Sequence, residues 1–106
     1  MNDEMELVCF NLISNSGAAK SSYIEAIQLA KAAKIDEAKQ KLTEAEGFLV
    51  NAHKIHAELI QKEAAGQKVE FSLLFMHAED QFASTEMAQL LAKELIDLYS
   101  DKFANK

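Results

Sequence analysis

The segment Leu73–Leu98, LLFMHAEDQFASTEMAQLLAKELIDL, decides the fold of this chain. Its apolar residues recur at intervals of three and four, which predicts one long amphipathic helix. Two stripes about 60° apart can be followed along that helix. The first contains Leu74, His77, Gln81, Ser84, Ala88, Leu91, Leu95 and Leu98, and the second contains Leu73, Met76, Asp80, Ala83, Met87 and Leu90, with Ile96 nearby.

Two apolar stripes are more than one helix of a three-helix bundle needs. The surplus stripe therefore predicts that this helix also packs against copies of itself, in a homo-oligomer with the third helix innermost. The alternative is a single chain whose third helix is simply the most buried.

The remaining composition predicts an all-α fold. Proline is absent, glycine occurs only three times, and Ala, Leu, Glu, Lys and Gln predominate. Breaks are expected at Asp36, as an N-cap, and at Gly66, as the residue that follows a helix end. The 106 residues are thus predicted to form a single domain, an antiparallel three-helix bundle with helices at about 3–33, 36–65 and 71–104.

Small residues line the first two helices at heptad spacing, which allows their backbones to approach closely. The first seam contains Leu12, Ala19, Ala26 and Ala33, with Asn15, Ser22 and Leu29 between them. The second contains Ala38, Ala45, Ala52 and Leu59, with Leu42, Leu49 and His56 between them.

Charge and cysteine content restrict the partners and the compartment. A net charge of −6 argues against nucleic acid or an anionic membrane, because both are bound through basic surfaces. Cys9 is the only cysteine, so no internal disulfide forms, and no signal peptide or membrane span is recognised. These features predict a cytoplasmic protein.

Asp80 lies in the second stripe, between Met76 and Met87. A carboxylate in an apolar contact costs several kcal/mol unless it is paired or bound to a cation. If copies of the third helix meet, a ring of Asp80 side chains would stay ionised around a hard cation such as Mg²⁺. In the alternative, Asp80 lies at the edge of the stripe, in contact with water.

Three histidines are candidate site residues. His77 lies beside the predicted subunit seam, with Asp80 and Gln81 close enough on the helix to orient it. His53 and His56 are three residues apart, a spacing compatible with a metal, but no HExxH pattern accompanies them. They are more simply interpreted as polar groups at a helix interface.

Several segments together resemble a known family. Residues 13–26, ISNSGAAKSSYIEA, are similar to the NSG-x-A-[KR]-S…EA signature of lactose/cellobiose-class enzyme IIA proteins of the bacterial sugar phosphotransferase system. Ala52-His53, then LIQKEA at residues 59–64 with Gly66, and SLLFMHAED at residues 72–80 continue the resemblance in order along nearly the whole chain.

The resemblance implies a trimeric phosphotransferase with a phosphohistidine intermediate. His77 would accept phosphate, on its Nε2 atom, from the histidine-phosphocarrier protein and pass it to a cysteine of enzyme IIB, for uptake of a β-linked disaccharide of the cellobiose, chitobiose or lactose type. Asp80 would gather near the trimer axis around a structural divalent cation such as Mg²⁺. The side chains expected to support the site are Gln81, Glu79, His53 and His56.

The chain departs from the family pattern around the site. The usual run resembles HAQDHLM, whereas here Glu79 replaces the glutamine, Gln81 the second histidine, and Phe82 and Ala83 the last two residues. His56 stands where glutamine is frequent. Gln81 cannot become cationic, and Glu79 adds negative charge close to the site.

Two other functions remain open from the sequence. A regulatory or interaction module of the same fold would not hold phosphate. A metal-dependent hydrolase would require paired Glu-x-x-His motifs, which are absent from this chain.

Overall fold

Three long helices form an antiparallel bundle in the computed structural model, which describes residues 2–104. Helix α1 comprises Asp3–Lys31, α2 comprises Ile35–Ala64, and α3 comprises Leu73–Ala104. The bundle measures 57 × 22 × 19 Å, so its length is set by the helices themselves. The predicted all-α bundle is confirmed, and the helix ends lie within two residues of the expected positions.

Helix α2 ends in the way its glycine predicts. Gly66 has a φ of 83°, the left-handed conformation that glycine adopts without a steric penalty. The Gln67 N–H donates to the Lys62 carbonyl at 3.1 Å, which is the Schellman arrangement that satisfies a terminal carbonyl. Gly66 therefore ends the helix and turns the chain towards α3.

Helix α1 ends in the same motif without a glycine. Ala33 has a φ of 65°, and the Lys34 N–H donates to the Leu29 carbonyl at 2.9 Å. The prediction that Asp36 caps α2 is wrong, because the N-cap is Lys34 and makes no side-chain cap hydrogen bond. Asp36 instead lies in the first turn, where its negative charge interacts favourably with the positive end of the helix dipole.

The predicted seams of α1 and α2 form most of the core. Most of their buried positions hold alanine or serine, whose small side chains let the two helices lie close together. The seam residues that are buried are Leu12, Ala19, Ser22 and Ala26 of α1 and Ala38, Ala45, Leu49, Ala52 and Leu59 of α2. The other predicted seam residues are less covered: Asn15, Leu29, Leu42 and His56 are half-buried, and Ala33 lies beyond the end of α1 and is exposed.

Helix α3 faces the other two helices along a line that neither predicted stripe follows. The buried residues of this line are Ala78, Phe82, Thr85, Ala92 and Ile96. The second stripe lies outside the bundle: Leu73 is 82% exposed and Met87 is 55% exposed. The interpretation of α3 as simply the most buried helix is therefore wrong, because an apolar stripe of α3 remains uncovered in the single chain.

No helix within residues 2–104 combines the length and the apolar character that crossing a bilayer requires.

Candidate functional site

His77 lies in the second turn of α3. The turn before it is fixed by Ser72, whose hydroxyl accepts a hydrogen bond from the Phe75 N–H at 3.1 Å, and whose carbonyl accepts one from the Met76 N–H at 3.0 Å. The His77 side chain is exposed, and its ring makes no hydrogen bond or ion pair with any residue in the described range. Both ring nitrogens are therefore available to an incoming group.

Glu79 faces helix α2. Its Oε2 atom lies 2.6 Å from Nδ1 of His56, and both side chains are half-buried. The direction of approach is not that of a directed N–H···O hydrogen bond, so the contact acts through charge when the imidazole is protonated. The His56 ring also stacks on Phe82, with 4.6 Å between ring centroids. Two departures from the family pattern, Glu79 and His56, thus contact each other.

His53 contributes less to the site than the sequence indicated. It is exposed, and its ring centroid lies 6.0 Å from that of Phe82 in a tilted arrangement. Across residues 2–104, no group of three or more His, Cys, Asp or Glu side chains is placed to hold a metal ion. Both His53 and His56 lie beside the Phe82 ring, at the contact between α2 and α3.

Gln81 faces helix α1, on the other side of Asp80 from Glu79. The Lys20 Nζ donates to Oε1 of Gln81 at 3.1 Å, in a partly buried contact. One turn further along α3, the Thr85 hydroxyl lies 2.8 Å from the Gln81 carbonyl and 3.0 Å from the Ser16 carbonyl. These contacts fix the backbone and the side chain of Gln81 against α1.

Lys20 is a site residue that the sequence reasoning missed. The signal was present, because Lys20 occupies the basic position of the NSG-x-A-[KR]-S run, yet charge and spacing alone do not show which residue it meets. The structure shows that it contacts the residue one turn after His77.

Asp80 lies between these two contacts and takes part in neither. Its side chain is exposed on the second stripe, with Met76 and Ala83 on either side along α3. It makes no ion pair with another residue of the described part of the chain. Within one chain it is a single carboxylate on an apolar surface.

Cys9 does not compete as a nucleophile. The thiol is fully buried on α1, and burial, together with the negative charges of Glu79 and Glu6, raises its pKa. A buried thiol with a raised pKa is protonated near neutral pH and unreactive.

An apolar hollow adjoins the first turn of α3. It has a volume of about 230 Å³ and is lined by Phe71, Phe75, Met76 and Glu79. Phe71 is 76% exposed, so an aromatic side chain is exposed to solvent just before the start of α3. Exposed aromatic residues beside a reactive group are typical of a surface that meets another protein.

The sequence profile of a known family matches most of the chain. Residues 7–100 match the family described as the lactose/cellobiose-specific IIA subunit of the phosphotransferase system. The chain belongs to this family. The IIA subunit resembles the lichenan-specific phosphotransferase enzyme IIA component of Bacillus subtilis, with 42% identity over 99 residues, which cover 93% of this chain and 90% of that protein.

Solved structures support the same assignment of this IIA subunit. The cellobiose-specific enzyme IIA of Bacillus anthracis superposes with a TM-score of 0.94 and 40% identity, covering all of this chain and 97% of that one. The chitobiose IIA of Escherichia coli, solved in complex with HPr, gives a TM-score of 0.79 and 32% identity, over 94% and 97% of the two chains. The bundle is therefore the fold of this family.

The structure brings together some of the predicted site residues of the IIA subunit and separates others. Glu79 meets His56, and Gln81 meets a residue that was not predicted. Asp80 and His77 both point outwards from the bundle without a partner in residues 2–104. A site that uses these two side chains would be completed by other molecules.

Proposed function

We propose that this chain is a phosphocarrier that accepts a phosphoryl group on His77 from the histidine-phosphocarrier protein and donates it to a cysteine of enzyme IIB. Membership of the IIA family supports the reaction class. The observation that carries the assignment to a residue is the exposed, unpartnered ring of His77 within residues 2–104. A group that two different proteins must reach in turn has to be accessible in this way.

Histidine suits this chemistry because its neutral ring nitrogen is nucleophilic near pH 7. A nitrogen of His77 forms a bond to phosphorus as the bond from phosphorus to the donor's ring nitrogen breaks. The electron pair of the broken bond returns to the donor's ring, which takes up a proton, while the His77 ring releases one. In the second step the cysteine thiolate of enzyme IIB attacks phosphorus, and His77 is the leaving group.

The first turn of α3 suits an added negative charge. Helices α1 and α2 each begin with acidic residues, whereas α3 has none in its first turn. The positive end of the α3 dipole is therefore not offset by acidic residues of that turn, which modestly favours an anion near the start of the helix.

We further propose that three copies of the chain associate through the second stripe of α3. The exposed apolar side chains of that stripe support an interface, and Asp80 lies among them. One chain offers a single carboxylate there, and no cluster for a metal is present within residues 2–104, so a cation such as Mg²⁺ would require Asp80 from several copies. Its role would be structural, since phosphate is carried by nitrogen.

The sugar class is proposed from the relatives. The proteins that this chain resembles are named for lichenan, cellobiose and N,N'-diacetylchitobiose, which are all β-linked. A phosphocarrier does not contact the sugar, so we propose uptake of a β-linked sugar as the process that this protein serves. We also propose a cytoplasmic location, which the two proposed partner proteins support.

A non-transferring interaction module is the second candidate. Glu79 favours it, because this residue adds a carboxylate two positions from His77, where the family pattern has an amide. The contact with His56 offsets that charge when the imidazole is protonated, which reduces the objection to phosphate transfer.

Labelling distinguishes the two functions. The chain is incubated with phosphoenolpyruvate, enzyme I and the histidine-phosphocarrier protein, and then with enzyme IIB. A phosphocarrier gains an acid-labile phosphoryl group that later moves to the IIB cysteine. A chain that stays unlabelled while the donor is fully phosphorylated is an interaction module instead.

A further inference from the structure

Gln81 lies on the same side of α3 as His77. The two residues are four apart, and side chains at this spacing are neighbours on a helix, with about 5–6 Å between their Cβ atoms. A glutamine side chain reaches across such a gap, so its amide group lies within reach of a phosphoryl group on the His77 ring. Gln81 is half-buried and anchored to α1, whereas His77 is exposed.

Lys20 determines which end of the Gln81 amide faces α1. A lysine ammonium is a donor only, so the atom 3.1 Å from its Nζ must be the amide oxygen. The Gln81 Nε2 group, with its two N–H donors, then points away from Lys20. No acceptor in residues 2–104 takes a hydrogen bond from it. The Gln81 Nε2 group therefore has two N–H donors, one turn from His77, that can donate hydrogen bonds to an anion.

The charges around the site make such a donor useful. A phosphoryl group brings about 1.5–2 negative charges, and two carboxylates, Glu79 and Asp80, already lie between His77 and Gln81 in the sequence. Gln81 cannot carry a positive charge itself. The Lys20 ammonium on its oxygen polarises the amide, which strengthens the N–H groups as donors.

We propose that Lys20 is a positioning residue of the phosphoryl site: it orients and polarises Gln81 so that the Gln81 amide donates to the phosphoryl group on His77. This inference rests on the proposed phosphocarrier function. It assigns a role to Lys20. It also explains how Gln81, which is neutral and stands where the family pattern has a histidine, could bind the phosphoryl group with support from α1.

The test compares Lys20→Met with Lys93→Met in the full chain. Lys93 pairs with Glu46 at 3.2 Å on another part of the bundle, so its removal changes net charge by the same amount without touching Gln81. Stopped-flow transfer from the phosphorylated histidine-phosphocarrier protein is measured over a range of concentrations. Lys20→Met should lower the maximal rate by about tenfold, as expected for one lost charge-assisted hydrogen bond, and Lys93→Met should change it less than about twofold.

A double-mutant cycle shows whether Lys20 acts through Gln81. In a Gln81→Met background, Lys20→Met should have almost no further effect on the maximal rate, whereas Lys20→Arg in the wild-type background should restore most of it. In ¹⁵N spectra, the Gln81 side-chain amide signal should shift on phosphorylation of wild type and shift less in Lys20→Met. Circular dichroism and unfolding confirm that each variant keeps the bundle.

Three results would overturn the inference. They are an unchanged maximal rate in folded Lys20→Met, an equal loss in Lys93→Met, and an equal effect of Lys20→Met with and without Gln81. Wild type that takes no phosphate from a phosphorylated donor would instead refute the phosphocarrier function and this inference together, so the two failures are distinguishable.

Discussion

The two sides of α3 differ in how their apolar residues are covered. The inner side packs on α1 and α2 through small or well-fitted side chains, which are Ala78, Phe82, Thr85, Ala92 and Ile96. The outer side carries residues that are equally apolar but exposed, among them Leu73, Met76, Met87 and Leu90. The difference shows that a single chain covers the apolar residues on only one side of α3. The outer half is the surface through which we propose that further copies associate.

His77 lies between these two sides. The residues that follow it are tied to the bundle, Glu79 to α2 and Gln81 to α1, while Asp80 faces outwards. The proposed acceptor is therefore held on a helix but remains exposed to partners. This arrangement suits a group that is loaded by one protein and unloaded by another.

The largest effect is expected on the inner side. Phe82 is 3% exposed and stacks on His56, so Phe82→Ala should lower the free energy of unfolding by about 3–5 kcal/mol. Urea unfolding followed by circular dichroism measures it. As a control, Val50→Ala on the exposed surface of α2 should cost less than about 0.5 kcal/mol. Equal losses in free energy of unfolding for Phe82→Ala and Val50→Ala would show that burial against α1 and α2 does not set the contribution of Phe82.

The proposed interface on the outer side of α3 is tested by measuring the association of the chains. Met87→Glu should weaken the oligomer, because a buried carboxylate from each copy meets the others in an apolar contact. Sedimentation equilibrium at micromolar concentration should give three chain masses for wild type and a shift to monomer for the variant. Val50→Glu, which adds the same charge on α2, should keep the wild-type mass. Wild type that sediments as a monomer contradicts the proposed interface.

Replacing Asp80 tests the role of the carboxylates on the outer side of α3. Asp80→Leu should leave the trimer intact or stabilise it, by about 1–4 kcal/mol, because apolar groups replace clustered carboxylates. It should also make the melting temperature insensitive to a chelator, whereas wild type should melt earlier when divalent cations are removed. Dissociation of the Asp80→Leu trimer would show that the carboxylates make essential contacts.

The smallest effect is expected from changes in the turns between helices, which leave both sides of α3 unchanged. Ala33 adopts the left-handed conformation that Gly66 adopts at the end of α2, with φ values of 65° and 83°. Among residues 2–104, apart from its chain neighbours, Gly66 has no atom within 4 Å of where an alanine Cβ would lie, so backbone conformation decides the outcome there. Ala33→Gly should raise the free energy of unfolding by about 0.5–1 kcal/mol, and Gly66→Ala should lower it by about 1 kcal/mol. Changes of the opposite sign would show that other contacts set these turns.

The sequence predicted the seams of α1 and α2 because alanine repeats at heptad spacing have one obvious packed face. It predicted the inner line of α3 poorly, since small and apolar residues occur around most of that helix and periodicity alone does not rank its faces. Thr85 illustrates the difficulty: it is fully buried because its hydroxyl bonds to carbonyls of Ser16 and Gln81. Such partners are invisible in a pattern of hydrophobicity.

The candidate site was predicted in part for a similar reason. The position of His77 on the third helix follows from motif and spacing, but its exposure does not, because the spacing places it in an apolar stripe. The pairing of Glu79 with His56, and of Gln81 with Lys20, joins residues that are far apart in sequence. These contacts depend on how the helices are rotated about their axes, which only the packed structure determines.

Of the three histidines in this chain, His77 is the one that we propose carries the phosphoryl group. The direct measurement is intact mass after incubation with phosphoenolpyruvate, enzyme I and the histidine-phosphocarrier protein. The double variant His53→Gln/His56→Gln, which keeps only His77, should gain the mass of one phosphoryl group, and acid should remove it. His77→Gln, which keeps the other two histidines, should gain nothing while it retains its helical signal and its oligomeric state. Phosphate on His77→Gln, or none on the variant that keeps only His77, would contradict the account.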